Sequence, residues 1–186
     1  MLLDVGFGIL LSIALSKFFG IFLSAKLIAL GIFFSLAPDL DVFVELAKRG
    51  RVGGRVQGHH RELTHFPLTF IPISAIVYYY FDPVWFWLFS FGIFFHFLHD
   101  SIGMGWGIKW FWPFSKRSYK LFSEKDGRLF SKNLVTSWSP EELVPTIAKY
   151  GDDDWFRNFY LKLHPIAIFE LLVFIVSILV LLYYVV

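Results

Sequence analysis

The chain contains no cysteine among its 186 residues. Disulfides, thiolate zinc sites and cysteine nucleophiles are therefore excluded. It is also poor in charge. Charged residues make up 17 %, against roughly a quarter in ordinary soluble domains. What fills the gap is apolar. Hydrophobic residues reach 56 %, aromatics 21 % with 24 Phe, and the mean hydropathy is +0.61. This composition excludes intrinsic disorder, collagen-like repeats and a typical soluble enzyme. The length fits one domain. No internal repeat is evident at solenoid periods. The basic stretch Gly50–Gly58 lacks the Gly-Lys-Ser/Thr ending of a phosphate-binding loop and reads instead as a flexible basic linker near anionic headgroups.

The apolar residues fall into runs. A membrane-crossing helix needs roughly 20 of them, with a range of about 17–25. Pro165–Val186 is interrupted only by Glu170 and Ser177, and Pro165 suits a first helical turn because its missing N–H has no partner there. Residues 65–81 and 83–99 form two further runs around Asp82-Pro83, a tight turn with Trp85 and Trp87 beside it. They read as a transmembrane hairpin with an aromatic interface. The first 37 residues read as two short spans, 2–19 and 21–36, with Lys17 and Lys26 snorkelling at the turn around Gly20. One long tilted helix is the alternative. A signal peptide is not, since no basic region precedes the run and no cleavage-type sequence follows it. The expected fold is an all-α, polytopic helical bundle of four to five spans. It forms a single integral membrane domain over residues 1–186.

Charge placement gives the orientation. Of the 17 Lys and Arg, five lie in Val42–Thr64 and ten in Ser101–His164. With five spans these two loops share one side, and the positive-inside rule makes it cytoplasmic. The segment 101–163 mixes Trp106, Trp110, Phe111, Trp112 and Phe114 with Lys109, Lys116 and Arg117. That mixture suits either an interfacial segment or a loop folded over the helices.

Polar residues cluster where the apolar runs end. Pro38 biases Ala37 away from helix, so Asp39 and Asp41 are expected on an extended turn, pointing the same way. Solvated acids at a helix stop are the plainer reading. His59 to His65 precedes the third run. His60 and His65 are five apart and would not share a helical face. A loop entering a helix at Thr64, a possible N-cap, would bring them together. His96 and Asp100 are four apart and share a face. His99 faces elsewhere and is expected to pack or cap. In the five-span topology Asp39, Asp41, His60, His65, His96 and Asp100 all reach the cytoplasmic end. Imidazoles and carboxylates suit zinc, manganese or iron, and six such groups could hold one or two ions. A pair about 3.5–4 Å apart is a known arrangement for phosphoester hydrolysis.

These residues resemble a known family, the LexA-regulated inner-membrane metal-dependent hydrolases, also called YdjM-like. The matching motifs are Ala37-Pro38-Asp39-Leu40-Asp41, His60-Arg61-Glu62-Leu63-Thr64-His65, and His96-Phe97-Leu98-His99-Asp100 with Gly107 and Trp112-Pro113 downstream. The resemblance covers roughly residues 30–115. It implies a membrane-bound hydrolase with metal ligands at Asp39, Asp41, His60, His65, His96 and Asp100. Two departures stand out. Phe66 replaces a frequent Ser, and the first apolar run has no histidine, only a nearby Asp4.

The leading functional reading is a divalent-metal hydrolase, zinc or manganese, in the inner membrane with its active face cytoplasmic. Membrane lipids surround it, and its substrate is amphiphilic or lipid-linked. Asp100 is placed in catalysis. Arg61 would grip a phosphate and Glu62 would act as general base. His164 and Glu170 begin the last run, and a reach toward the cluster is considered. A structural metal or polar clamp without enzymatic activity is the competing reading. Transport is disfavoured by the scarcity of polar residues at mid-span. No nucleic acid partner is expected, because topology already explains the basic loops.

Overall fold

The computed structural model describes residues 1–56 and 63–185. His59, His60, Arg61 and Glu62 lie outside the described residues. The chain divides into two compact units. One comprises Met1–Pro38, Phe70–His96 and Leu163–Val186, the other Asp39–Thr69 and Phe97–Lys162.

The first unit is helical. It contains α1 (Leu2–Phe19), α2 (Ala25–Leu36), α4 (Phe70–Tyr80), the greater part of α5 (Pro83–Ile102) and α7 (Pro165–Val185). The first 37 residues fold as two helices and not as one tilted helix. The reason is local. Gly20 adopts φ 63 and closes α1 with its N–H on Lys17 O and Ser16 O. Ser24 then caps α2 by accepting from Leu27 N at 3.2 Å. Small residues let the two helices approach, since a Cβ on Gly8 would lie 2.6 Å from the Gly31 carbonyl oxygen. Ser12 satisfies itself by donating to Gly8 O (2.8 Å) and Leu27 O (3.1 Å). This is the packing expected where lipid removes the hydrophobic drive between helices. Gly6 faces α7 in the same way, a Cβ there falling 3.2 Å from Phe174 Cα. The core is Leu15, Leu27, Val84 and Leu88. On α7, Leu171, Leu172, Ile175, Val176, Leu179 and Leu182 are exposed, as suits a helix whose solvent is hydrocarbon.

Among the described residues, three helical stretches are long and apolar enough to cross a membrane: Leu2–Phe19, Ala25–Arg49 and Pro165–Tyr184. The expected count was four to five. The difference lies in the central hairpin. The third run is short, Pro67–Tyr80, and α5 carries Trp85, Trp87, His96, His99 and Asp100 within its 20 residues. The third run also starts later than expected. Leu63–His65 and Pro67–Thr69 are 3₁₀ turns, and the α-helix begins at Phe70. Pro72 is tolerated because a first-turn N–H would have no intrahelical partner anyway.

The second unit corrects the all-α expectation. It contains α3 (Asp41–Arg49), an antiparallel hairpin of β1 (Ser118–Leu121) and β2 (Val135–Trp138), and α6 (Pro140–Tyr150). The hairpin runs in register from Ser118 opposite Trp138 to Leu121 opposite Val135. Ser139 and Glu142 form a reciprocal capping box at α6, with Pro140 in its first turn. Trp138, Leu143 and Ile147 pack together, with Trp106 against them. The segment 101–163 is thus a folded element with its own core. The start of the basic stretch is fastened as well. Trp155 donates to Val52 O at 2.8 Å, and Arg55 N donates to Asp153 Oδ1 at 3.1 Å. Gly53 and Gly54 adopt φ 72 and 91 and lie against Trp155 and Asp153.

Candidate metal centre

In the second unit the site is built around His65. It ends a 3₁₀ turn and is 0 % exposed. Asp39 and Asp41 come from the other side of Pro38. They do not lie on an extended turn. Residues 37–40 form a 3₁₀ turn that feeds directly into α3. The tight turn separates the two carboxylates, and they flank the same imidazole from opposite ends. Asp41 Oδ2 lies 2.9 Å from Nδ1. Asp39 Oδ1 lies 3.6 Å from Nε2, and Asp100 Oδ2 lies 3.4 Å from it.

A carboxylate accepts and cannot donate when ionised, so Asp41 fixes a proton on Nδ1. The Nε2 edge then points at two acids. Burial pulls the His65 imidazole down, but Asp100, Asp39 and Asp41 outweigh it and hold it at about 10. The pocket therefore favours positive charge. One ligand atom each from Asp39, His65 and Asp100 lies within 4.8 Å of the others. An imidazole edge with two carboxylate oxygens is a donor set that fits a zinc- or manganese-type cation. A histidine whose far nitrogen is held by a carboxylate is the usual support for such an ion.

Phe66 follows His65 and is buried. It stacks on Trp112 with ring centroids 4.7 Å apart, which gives the departure at this position a packing role. The Phe97 ring meets His65 edge-on at 6.4 Å. Ser101 donates to Phe97 O at 2.7 Å and accepts from Trp110 Nε1 at 2.8 Å. These contacts hold the end of α5 that carries Asp100.

The first unit holds the other buried histidine. His96 lies one turn before Asp100 on α5, so the two share a helical face. Its Nδ1 donates to Ser35 O at 2.8 Å and lies 3.4 Å from Asp4 Oδ1. A carbonyl oxygen only accepts, so Nδ1 carries a proton. Asp4, noted in sequence only as a nearby acid without a motif, is thus a neighbour of His96. Its one signal was a carboxylate inside an apolar helix. Its Oδ2 lies 3.0 Å from the Met1 amino group, which is 3.5 Å from Glu170 Oε2. Glu170 therefore belongs to the Asp4 network. His164 is a cap, its Nδ1 accepting from Ile166 N at 3.3 Å. At His99 the backbone carbonyl accepts from Gly103 N at 2.7 Å.

The profile of the YdjM inner membrane protein family matches residues 4–186. The chain belongs to that family. No curated protein and no solved structure matches it. For a member of an inner membrane protein family, the three long apolar helices fit that membrane setting. The His/Asp group is able to hold a metal ion.

Proposed function

We propose that this YdjM-family chain is a metal-dependent hydrolase acting at the cytoplasmic membrane surface on a phosphoester of a lipid or lipid-linked substrate. The observation that carries the proposal is the arrangement around His65. Asp41 occupies Nδ1 while Asp39 and Asp100 converge on Nε2. In this reading Asp39, His65 and Asp100 hold zinc or manganese, and His96 is a sequence-based candidate from its i,i+4 spacing with Asp100. Asp41 orients His65 and is not itself a ligand. His60 remains a sequence-based candidate, for the same ion or a second one. When bound, such an ion polarises a phosphoryl oxygen and acidifies water. Arg61 grips the phosphate and Glu62 takes up the proton, as their places in the motif suggest. Five crossings with both basic loops inside give the cytoplasmic orientation.

One observation favours a structural clamp instead. Protonated His65 already neutralises part of the carboxylate charge, so the group can hold itself together as an ion-pair network.

Metal content measured by mass spectrometry on detergent-purified protein tests the proposal. Wild type should carry one or two equivalents, lost in the His65→Ala, His96→Ala double variant. Folded wild type that takes up neither zinc nor manganese overturns the metal reading. Bound metal with metal-dependent thermal stability, but no turnover across phosphoester and lipid substrates, identifies a clamp.

A further inference from the structure

The helix α3 is inside out by the standard of a helix in water. Asp41, Glu45 and Arg49 recur every fourth residue and share one face. Asp41 and Glu45 are buried, and the charges are met within the protein. Asp41 Oδ2 lies 2.9 Å from His65 Nδ1. Glu45 pairs with Arg49 Nε, and Arg49 Nη2 donates to Gly53 O at 3.0 Å. Leu40, Phe43, Val44 and Ala47 follow the i, i+3, i+4, i+7 spacing of the opposite face. All four are exposed, as is Leu46 on their flank, and Phe43 reaches 68 %. An amphipathic helix in water turns its charges outward and its apolar stripe inward.

Three features identify what meets the apolar face. The first is continuity. α3 closes the helical stretch Ala25–Arg49, which is long and apolar enough to cross a membrane. The second is where charge begins. Exposed Lys48 follows the apolar stripe, Gly50 at φ 67 ends the helix with its N–H on Leu46 O at 2.8 Å, and exposed Arg51 and Arg55 come soon after. Cations just beyond an apolar helical run suit the phosphate level of a bilayer. The third is side-chain size. Helices that pack on each other in lipid do so through small residues, as α1 and α2 do at Gly8 and Gly31. On α3 Ala47 stands among Phe43, Val44 and Leu46, which are too bulky for such a seam and fit acyl chains.

We propose that α3 is immersed in the bilayer, with Leu40, Phe43, Val44 and Ala47 against lipid acyl chains and Lys48 at the headgroup phosphates. The segment that charge counting assigns to a basic loop, Val42–Thr64, thus begins within the membrane. Asp41 lies on the far side of the same helix. The acid that holds His65 is therefore one helix diameter, about 10 Å, from hydrocarbon. The inference stands whether or not a metal binds at His65.

The chain has no cysteine, so a single-cysteine variant takes a nitroxide label at one place. The full chain is labelled at Phe43→Cys, Ala47→Cys or Lys48→Cys and placed in vesicles of phosphatidylethanolamine and phosphatidylglycerol. Leu179→Cys, on the exposed side of α7, is the hydrocarbon reference. Collisions with oxygen, which concentrates among acyl chains, are compared with collisions with a nickel chelate, which stays in water. Phe43→Cys and Ala47→Cys should match the oxygen-rich ratio of Leu179→Cys, and Lys48→Cys should shift toward the nickel chelate. Ala47→Cys alters an exposed position very little and keeps the test open if Phe43→Cys does not fold. A nickel-rich ratio at positions 43 and 47 overturns the proposal and puts α3 in water. Protection from both reagents there also overturns it. Dipolar broadening between labels would then identify a second copy of the chain as the cover, and its absence a different protein segment.

Discussion

His65 and His96 are both buried to within 1 % exposure, yet the two units hold them in different ways. His65 has a carboxylate on Nδ1 and two more toward Nε2. His96 has a neutral backbone carbonyl on Nδ1, with one carboxylate further off. A carboxylate partner raises the basicity of an imidazole and its strength as a ligand, whereas a carbonyl mainly fixes the tautomer and ring orientation. Location explains the choice. His65 sits in 3₁₀ turns outside the long apolar helices, where charges are easier to gather. His96 sits inside α5, where a helix carbonyl is the cheaper acceptor. The two histidines are therefore expected to respond differently when their partners are changed.

The largest effect is expected from Asp41→Asn. Removing one partner of a buried ion pair costs about 3–5 kcal/mol, read as a lower unfolding midpoint of the metal-free protein. Removing the group that orients a ligand histidine should also weaken metal binding about 10- to 100-fold, read by metal titration. Unchanged metal affinity would mean that Asp41 does not support His65 as a ligand.

A pH series sharpens the contrast next. The folded pKa of His65 is raised from 6.5 to about 10. Its contribution to metal-free stability is then fully present below about pH 6.5 and is lost as pH rises through about 10. Thermal unfolding between pH 6 and 10 should show that decline, and Asp41→Asn should flatten it. Metal must displace the same proton, so metal affinity should rise with pH over the same window. A flat stability profile would remove the ion-pair account of His65.

The smallest effect is expected from Asp4→Asn. Ser35 O still accepts from Nδ1 of His96, so the loss should be about 1 kcal/mol and metal content should hold. Metal loss as complete as in the His65→Ala, His96→Ala variant would break the comparison and make Asp4 part of the centre.

Much of this was legible in sequence because the relevant signals are local. Apolar runs marked α1, α2 and α7. Gly20 marked the turn between the first two, and Ser24 emerged as the cap of α2 only in the structure. The i,i+4 spacing of His96 and Asp100 needed only helix geometry. Other features required contacts distant in sequence. Asp39 and Asp41 looked like paired ligands, and only a 3₁₀ turn sent them to opposite ends of one imidazole. Asp4 acquired meaning from a histidine 92 positions away. Lys120 looked like one more positive-inside lysine until β1 buried it.

Composition by itself determined that this is a membrane protein, because so many apolar side chains and so little charge leave few alternatives. Spacing determined which histidines and acids were worth watching. The tertiary structure alone decided which nitrogen of His65 meets which carboxylate, and that Lys120 is buried. Burial and partner choice depend on chain segments far apart in sequence, and linear spacing does not encode them.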